Sequence, residues 1–313
     1  MDKTSDYDHH EELTHESRFI AWAVMLLLWL PTGLPEESVM WSESSARGTI
    51  WSLAIDEASG LAFSRLHDAT LWTHNDSGDE PILYALSTTG SEIARIRVDI
   101  DEVFDAEDLA TGPCSQTDSS PCIYFADMGD NRHRREHIIV YRIREPARLM
   151  REERVGVAER WIVTFPQGAH DAETLLVDPR DARVFIVQKA RHGDTGVFEL
   201  VREDHGSTER PAHLKRIATL NFEGYARGGR LVTGGALSPG GQCVALRTYT
   251  HVHTWCAKEP GHVLEQLDEG ADVVRTAALT QSEALTWDPS GQGLWMTSER
   301  WPAPLVHLER RDE

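Results

Sequence analysis

The segment Ile55-Asp56-Glu57-Ala58-Ser59-Gly60-Leu61-Ala62 places a glutamate just before a short apolar run. The same pattern of a glutamate followed by apolar residues returns three times along the chain. The later copies are Asp105-Ala106-Glu107-Asp108-Leu109-Ala110, His170-Asp171-Ala172-Glu173-Thr174-Leu175-Leu176 and Gln281-Ser282-Glu283-Ala284-Leu285-Thr286. A pattern that returns at matching places indicates an internal repeat, in which each copy forms one structural unit.

The residues that follow each copy also repeat. A turn signal rich in Pro, Gly, Asp or Ser comes first, at residues 64–68, 178–181 and 288–291, and at 238–241 in a unit that lacks the glutamate. Every unit then has two more apolar runs. The second runs begin at Leu71, Ile123, Val184, Val244 and Leu294, and the third runs at Ile82, Ile138, Gly196, His251 and Leu305. Apolar runs separated by turn signals are typical of β-hairpins.

Three or four short strands per unit, with a unit of roughly 50 to 65 residues, predict an all-β fold of the β-propeller type. Five copies predict five blades in a single domain over residues 50–313, and six blades are also compatible with the pattern. The alternating apolar residues Trp51, Leu53 and Ile55 are predicted to supply an N-terminal strand that closes the last blade.

The charge of the chain limits its partners. Its 313 residues include 51 acidic and 31 basic side chains, which gives a formal net charge of -20 at pH 7. Nucleic acids and anionic membrane surfaces require a basic footprint, so neither is an expected partner. The charge is compatible with a cation-binding protein.

The first 49 residues divide into three predicted segments. Residues 1–18 are polar and acidic and are predicted to be a disordered tail. Residues 19–35 contain an apolar run of about twelve residues, which fits a signal-peptide core better than a membrane span of roughly 20. Residues 36–49 are predicted to be a linker. A signal peptide would place the protein outside the cell or in the periplasm, and the alternative is a short uncleaved anchor.

The four cysteines fall into two pairs that the repeat brings together. Cys114 and Cys122 flank the turn of the second unit, and Cys243 and Cys256 lie on consecutive predicted strands of the fourth. Two local pairs predict two disulfides, and disulfides are typical of an oxidising compartment.

The repeated glutamates predict a metal site. The first strand of each propeller blade lines the central channel, so Glu57, Glu107, Glu173 and Glu283 are expected to face one another. Two carboxylates about 6 Å apart repel by roughly 2.8 kcal/mol at an effective dielectric constant near 20. Such a ring requires a cation, bound protons or basic partners.

Neighbouring oxygen-bearing side chains favour Ca²⁺, which takes carboxylate and amide oxygens. They occur in two segments, His74-Asn75-Asp76-Ser77-Gly78-Asp79 and Asp127-Met128-Gly129-Asp130-Asn131. The candidate ligands from these segments are Asn75, Asp76, Asp127, Asp130 and Asn131. The alternative is that Asp79 and Asp130 only build turns and cap backbone groups.

Basic and aromatic side chains are expected near the same level of the channel. Lys189, Arg247 and His74 would either neutralise the acidic ring or hold an anionic or carbonyl-bearing substrate. His74 and His170 each precede an acidic motif and are the candidate general bases, because histidine titrates near neutral pH. The alternative for each is a hydrogen-bonded structural role.

Taken together, the segments quoted above and Arg247-Thr248-Tyr249 resemble a family of largely uncharacterised secreted bacterial β-propellers. More distantly, the chain is similar to β-propeller phytases and to the gluconolactonase and paraoxonase group. The resemblance covers about residues 50–310 and adds Asp108 to the expected ligands and Tyr249 to the expected substrate-binding residues. Ala236 stands where the family usually has Asp, so the fourth unit is expected to lack one ligand.

Two functions follow as hypotheses. One is a secreted calcium-binding propeller that hydrolyses a lactone, an ester or a phosphoester at the channel. The other is a non-catalytic propeller in which the metal serves stability and the surface binds an extracellular protein or glycan. In either case the sequence predicts a monomer that has no contact with a membrane beyond the N-terminal segment. It contains no serine-hydrolase elbow, no phosphate-binding P-loop and no EF-hand loop.

Overall fold

A computed structural model of the chain describes residues 40–42, 44–100, 103–192, 194–202, 209–257, 263–267, 270–276 and 279–311. The predicted tail and the predicted signal or anchor segment lie outside these residues, as does the first part of the predicted linker. The described part of the chain contains no helix with the length and apolar character that crossing a bilayer requires.

The described residues form 21 strands and two short 3-10 helices, at Arg227–Gly229 and Val263–Glu265. The strands are β1 (Ser45–Ile50), β2 (Ala58–Phe63), β3 (Thr70–Asn75), β4 (Ile82–Ser87), β5 (Glu92–Val98), β6 (Ala106–Ser115), β7 (Asp118–Asp127), β8 (Ile138–Arg144), β9 (Glu152–Val155), β10 (Glu159–Thr164), β11 (Ala172–Val177), β12 (Val184–Gln188), β13 (Thr195–Arg202), β14 (Glu209–Leu220), β15 (Val232–Leu237), β16 (Cys243–Thr248), β17 (His251–Cys256), β18 (Asp272–Arg275), β19 (Ser282–Trp287), β20 (Gly293–Ser298) and β21 (Ala303–Glu309).

These strands form four sheets. Two of them have the orders β15-β16-β17-β18 and β1-β21-β20-β19, and a third has the order β2-β3-β4-β5-β9. The eight-stranded sheet consists of two antiparallel runs, β6-β7-β8-β10 and β11-β12-β13-β14, which are joined where β10 pairs in parallel with β14. The first four repeats therefore each contribute an antiparallel run of four strands, and in the last run β1 joins the three strands of the fifth repeat. Every second and third apolar run of the sequence is a strand.

The first strands of these runs surround a central axis. β2 contacts β6, β6 contacts β11, β11 contacts β15, β15 contacts β19, and β19 contacts β2. Sheets of four antiparallel strands arranged around an axis with their first strands innermost form a β-propeller. The predicted all-β propeller fold is confirmed.

The core lies between neighbouring runs of strands. Five clusters of buried apolar side chains each draw on two neighbouring runs. In one of them Trp72 and Leu83 of the first run meet Phe125 and Tyr141 of the next. Burying side chains of this size contributes about 1.5 to 3 kcal/mol each. Three of the five innermost strands, β2, β11 and β19, are buried along their whole length.

The strand that completes the last run comes from the N-terminal side, but it lies earlier in the chain than predicted. β1 pairs with β21 from Ser45 opposite His307 to Ile50 opposite Ala303. Trp51 and Leu53 are instead 65% and 74% exposed, because the chain turns after β1 and the Ile55 amide donates to the Ser52 carbonyl. As an edge strand, β1 requires backbone pairing more than apolar side chains, so its sequence carries no clear alternation.

Both predicted disulfides are present. Cys114 bonds to Cys122, and Cys243 bonds to Cys256 across the pair formed by β16 and β17. Each bond joins strands of one run, as the repeat predicts. The chain has four cysteines, so no thiol is free.

Candidate metal centre

A β-bulge lies at the same place in every first strand. At one place, each first strand has one more residue than the second strand that pairs with it. The extra residue lies between Ala58 and Leu61 in β2, Ala106 and Asp108 in β6, Ala172 and Thr174 in β11, Val232 and Gly234 in β15, and Ser282 and Leu285 in β19. A bulge leaves one residue unpaired and changes the direction of its side chain. The glutamates Glu107, Glu173 and Glu283 all lie in these bulges.

The strand pairing also separates Glu57 from the other three repeated glutamates. Ala58 and Ala106 each stand opposite the last residue of the neighbouring strand, so Ser59 and Glu107 are equivalent. Glu57 lies two positions before Ser59 and is exposed, and its backbone forms an isolated bridge with Arg300. The expected ring of four glutamates is therefore a set of three. The run that begins with β15 has Thr233 at the same place.

Five acidic side chains, which we call the carboxylate cluster, converge at the ends of the first strands. They form two groups that share Glu107, namely Asp76, Asp105 and Glu107, and Glu107, Asp171 and Glu173. Within each group, one oxygen from each residue lies within 4.8 Å of the others. Asp105 and Asp171 were not among the predicted ligands, although each belongs to an Asp-Ala-Glu segment that occurs twice in the sequence.

Burial and mutual repulsion make negative charge on these carboxyl groups energetically unfavourable. Burial raises the pKa of Glu107 well above its usual range, and the nearby carboxylate of Glu173 raises it further. Burial also raises the pKa of Asp76 to about 7 and moves the pKa of Asp105 upward. At 4.8 Å and an effective dielectric constant near 20, two carboxylates repel by roughly 3.5 kcal/mol. The cluster therefore requires protons or a cation.

Several carboxylate oxygens of the cluster accept no hydrogen bond within the part of the chain that the structure describes. Asp171 Oδ2, Glu173 Oε2 and Asp76 Oδ1 are buried and make no hydrogen bond with any described residue. Asp171 and Glu173 are only 0% and 2% exposed. Buried polar atoms are normally satisfied, so these oxygens are available to a ligand. An all-oxygen set of carboxylates suits a hard divalent cation, and the cluster can hold a metal ion.

Four further side chains flank the cluster, namely Lys189, Tyr249, Glu283 and Glu299. Lys189 forms an ion pair with Glu173 and lies 5.4 Å from the centre of the Tyr249 ring. Burial opposes the charge of Lys189, but the carboxylate of Glu173 outweighs burial and raises the pKa of the ammonium. The Tyr249 hydroxyl donates to Glu283 Oε1 at 3.0 Å. Burial, together with a hydrogen bond to Glu283, raises the pKa of Glu299 to about 11. Glu299 was not predicted.

The oxygens of Asn75 and Asp127 support the backbone and do not join the cluster. Asn75 Oδ1 accepts from the Glu57 amide at 3.4 Å, and Asp127 Oδ1 accepts from the Asp105 amide at 3.0 Å. Asp127 also pairs with Arg135 at 2.6 Å. Both side chains lie at the end of the second strand of their run, where they fix the segment that leads into the first strand.

Three further expected ligands have structural partners. Asp108 accepts from the amides of Leu109 and Leu175, both at 2.8 Å, and so links β6 to β11. Asp130 accepts from the amides of Arg134 and Arg135, which is the turn-capping alternative. Asn131 accepts from the guanidinium of Arg191. None of the three belongs to the carboxylate cluster.

The two candidate histidines lie outside the cluster. His74 is 1% exposed, its Nδ1 is 2.7 Å from the Asn75 carbonyl oxygen, and its ring packs against Phe125. Burial lowers the pKa of His74 to about 4, so this imidazole is neutral at physiological pH. His170 Nδ1 is 3.1 Å from Gln188 Nε2, and its ring packs against Phe165. Each ring is held through Nδ1 and its aromatic neighbour, whereas Nε2 of each is buried and makes no hydrogen bond with any described residue.

Arg247 is also a structural residue in this fold. It is 0% exposed, and its Nη1 donates to the carbonyl oxygens of Ala284 at 2.7 Å and Thr297 at 2.9 Å. Burial lowers the pKa of Arg247 to about 9, which leaves the guanidinium charged at neutral pH. It joins β16 to β19 and β20 through Nη1, and its Nε and Nη2 atoms are buried and make no hydrogen bond with any described residue.

Gly129 allows the cluster to pack closely. A Cβ atom at this position would lie 2.1 Å from Glu107 Oε1 and 2.5 Å from Asp105 Oδ2. These distances are too short for any side chain, so the carboxylates occupy space that only glycine leaves open.

No family model matches the chain, and no curated protein matches its sequence. The solved structures that it resembles include a gluconolactonase from Xanthomonas campestris, with 13% identity and a TM-score of 0.46 over 88% of this chain and 99% of that chain. They also include the WD40 repeats of RRP9, with 15% identity and a TM-score of 0.38 over 81% of this chain and 67% of that chain. These similarities are too distant to inform the function of the site.

Proposed function

We propose that the carboxylate cluster binds a hard divalent cation, with Ca²⁺ as the first candidate. The observation that carries this proposal is the convergence of Glu107, Asp171 and Glu173, whose buried oxygens include two without hydrogen-bond partners among the described residues. Asp76 and Asp105 would complete the ligand set together with water. Calcium takes six to eight oxygen ligands in flexible geometry, and these carboxylates suit that preference.

The proposal extends to the architecture and the location of the protein. The closed order of first-strand contacts and the five interfacial clusters support five blades. Two disulfides support a secreted or periplasmic protein, because such bonds persist in oxidising compartments. We take the protein to act as a monomer on a small molecule.

A second candidate function is hydrolysis of a lactone, an ester or a phosphoester at this centre. It is favoured by Lys189 and Tyr249, which flank the cluster and offer a positive charge and a hydroxyl group to a substrate bound at the cation. A bound cation would polarise a carbonyl or phosphoryl oxygen. Asp76 would help to hold the cation, and Lys189 and Tyr249 would orient the substrate. The alternative remains a non-catalytic propeller that binds a protein or glycan.

Metal analysis and a substrate panel test the two functions separately. Purified protein is dialysed with and without chelator and analysed for calcium, and the calcium-loaded protein is assayed on lactones, aryl esters and phosphoesters. We expect bound calcium that chelation removes, and turnover that is lost together with the calcium. Protein that holds no divalent ion contradicts the metal site. Calcium-loaded protein that is inert to the whole panel favours the binding platform.

Calcium affinity is expected to rise by about tenfold between pH 6 and pH 8, because calcium must displace the proton of Asp76. In the metal-free protein the raised pKa of Asp76 stabilises the fold fully below pH 4, and this contribution is lost as the pH rises through 7. Titration calorimetry at the two pH values measures the affinity. An affinity that does not change over this range would remove Asp76 from the ligand set.

Gly129→Ala is expected to lower calcium affinity by about tenfold or more, because the new methyl group must displace Glu107 or Asp105 from the cluster. The matched control is Gly156→Ala, whose added Cβ meets no atom within 4 Å. Calorimetry on both variants gives the comparison. If the two variants bind calcium equally well, the packing at Gly129 does not position the ligands.

A further inference from the structure

A basic cavity of 360 Å³ lies beside the carboxylate cluster. Lys189, Arg191 and Arg227 line it, together with Tyr249 and Asn131. Three cationic side chains at one cavity are notable in a chain with a net charge of -20. Because charge complementarity governs which ligands a polar site accepts, this cavity favours an anion.

Two of the side chains that line the cavity also contact glutamates of the repeat. Lys189 lines the cavity and forms an ion pair with Glu173, and Tyr249 lines it and donates to Glu283 at 3.0 Å. A ligand in the cavity would therefore lie next to the carboxylates that we assign to the cation. The cation and the basic side chains would then both attract a negatively charged group of the ligand, each from its own side.

The guanidinium groups differ in their availability. Arg191 donates to Asn131 Oδ1, which fixes one edge of its guanidinium and leaves its other N–H groups free for a ligand. Arg227 is exposed, and no partner of its side chain is found among the described residues. Planar guanidinium groups bind carboxylate and phosphate oxygens through two parallel hydrogen bonds.

We propose that this cavity binds the oxyanion of a small-molecule ligand, a phosphate or carboxylate group held by Arg227 and Arg191. Lys189 supplies a third positive charge and separates the oxyanion from Glu173. The placement of the oxyanion rests on the arginines alone. If the rest of the ligand reaches the carboxylate cluster, the anion is part of the substrate. This second step rests on the proposed function.

Calorimetric titration of methyl phosphate and of acetate tests the site, each into metal-free and calcium-loaded protein. We expect at least one of the two anions to bind, with the stronger one identifying the source of the oxyanion, and Arg227→Ala to weaken that binding by about tenfold or more. Arg227→Lys retains the charge and is expected to recover part of the affinity. The matched control is Arg65→Ala, because Arg65 is an exposed arginine that lines a separate cavity.

The outcomes separate this inference from the proposed function. Anion binding that depends on Arg227 in a protein that binds no calcium supports the cavity and overturns the metal site. Normal calcium binding with no binding of either anion overturns the cavity, and so does an Arg227→Ala variant that binds as the wild type does. Equal weakening by Arg65→Ala would show non-specific charge attraction and would also overturn it.

Discussion

Glu107→Gln is expected to abolish the stabilisation of this protein by calcium. Glu107 is the carboxylate that both groups of the cluster share, so its loss removes one ligand from each. At a calcium concentration of 100 times the dissociation constant, the wild type should gain about 2.7 kcal/mol of unfolding free energy, and the variant close to none. Without calcium, the variant should be at least as stable as the wild type, because the substitution removes a carboxyl group whose charge is disfavoured by burial and by Glu173.

Thermal or urea denaturation with and without calcium measures both effects. Glu57→Gln is the matched control, because Glu57 is the repeated glutamate that lies exposed and outside the cluster. It should respond to calcium as the wild type does. The cation site would be refuted by a Glu107→Gln variant that calcium still stabilises fully, or by equal effects of the two substitutions.

Asp108→Ala is expected to destabilise the protein by about 2 to 6 kcal/mol. Asp108 is 2% exposed, and its two oxygens accept from the buried amides of Leu109 and Leu175. Each buried amide that loses its acceptor costs about 1 to 3 kcal/mol. Asp108→Asn keeps one acceptor oxygen and should lose roughly half as much. Urea unfolding of the three proteins measures the series.

Calcium titration of Asp108→Asn separates its structural role from the ligand role that the sequence predicts. We expect the affinity of this variant to stay close to that of the wild type, because both oxygens of Asp108 are used by backbone amides. A variant of normal stability with a greatly weakened calcium affinity would instead assign Asp108 to the metal.

The strands were predictable from the sequence because their signals are local. Every second and third apolar run, such as those at Leu71 and Ile138, is a strand in the structure, and the cysteine pairs follow from the same repeat. The start of the closing strand was not predictable in this way. β1 is stabilised by pairing with β21, more than 250 residues further along the chain, and Ile50 is the one buried residue of β1.

The candidate site was predictable in part. Alternation along a strand does not reveal a bulge, and one extra residue shifts every side chain after it to the other face. The sequence alone aligned Glu57 with Glu107 because each precedes a short apolar run, whereas pairing aligns Glu107 with Ser59, two positions after Glu57. Asp105 and Asp171 carry a local signal, the repeated Asp-Ala-Glu. Glu299 has no such signal and can be found only by aligning the ends of the second strands.

The hydrogen-bonding roles of Asn75, Asp127 and Asp130 could not be read from residue type. Asn and Asp oxygens serve calcium and backbone amides equally well, and only the position of the nearest amide decides between them. The same holds for His74, whose burial between two runs of strands depends on Phe125 from the neighbouring run.

The pairing of β1 with β21 also sets the order in which the protein folds. Joining segments about 260 residues apart costs roughly 3 kcal/mol more chain entropy than closing a ten-residue hairpin. Because β21 follows every other described strand in the chain, the ring must stay open until β21 is made, with unpaired strand edges and the apolar side chain of Ile50 uncovered. Open edges pair readily with other chains. Ring closure is therefore the step at which folding competes with aggregation.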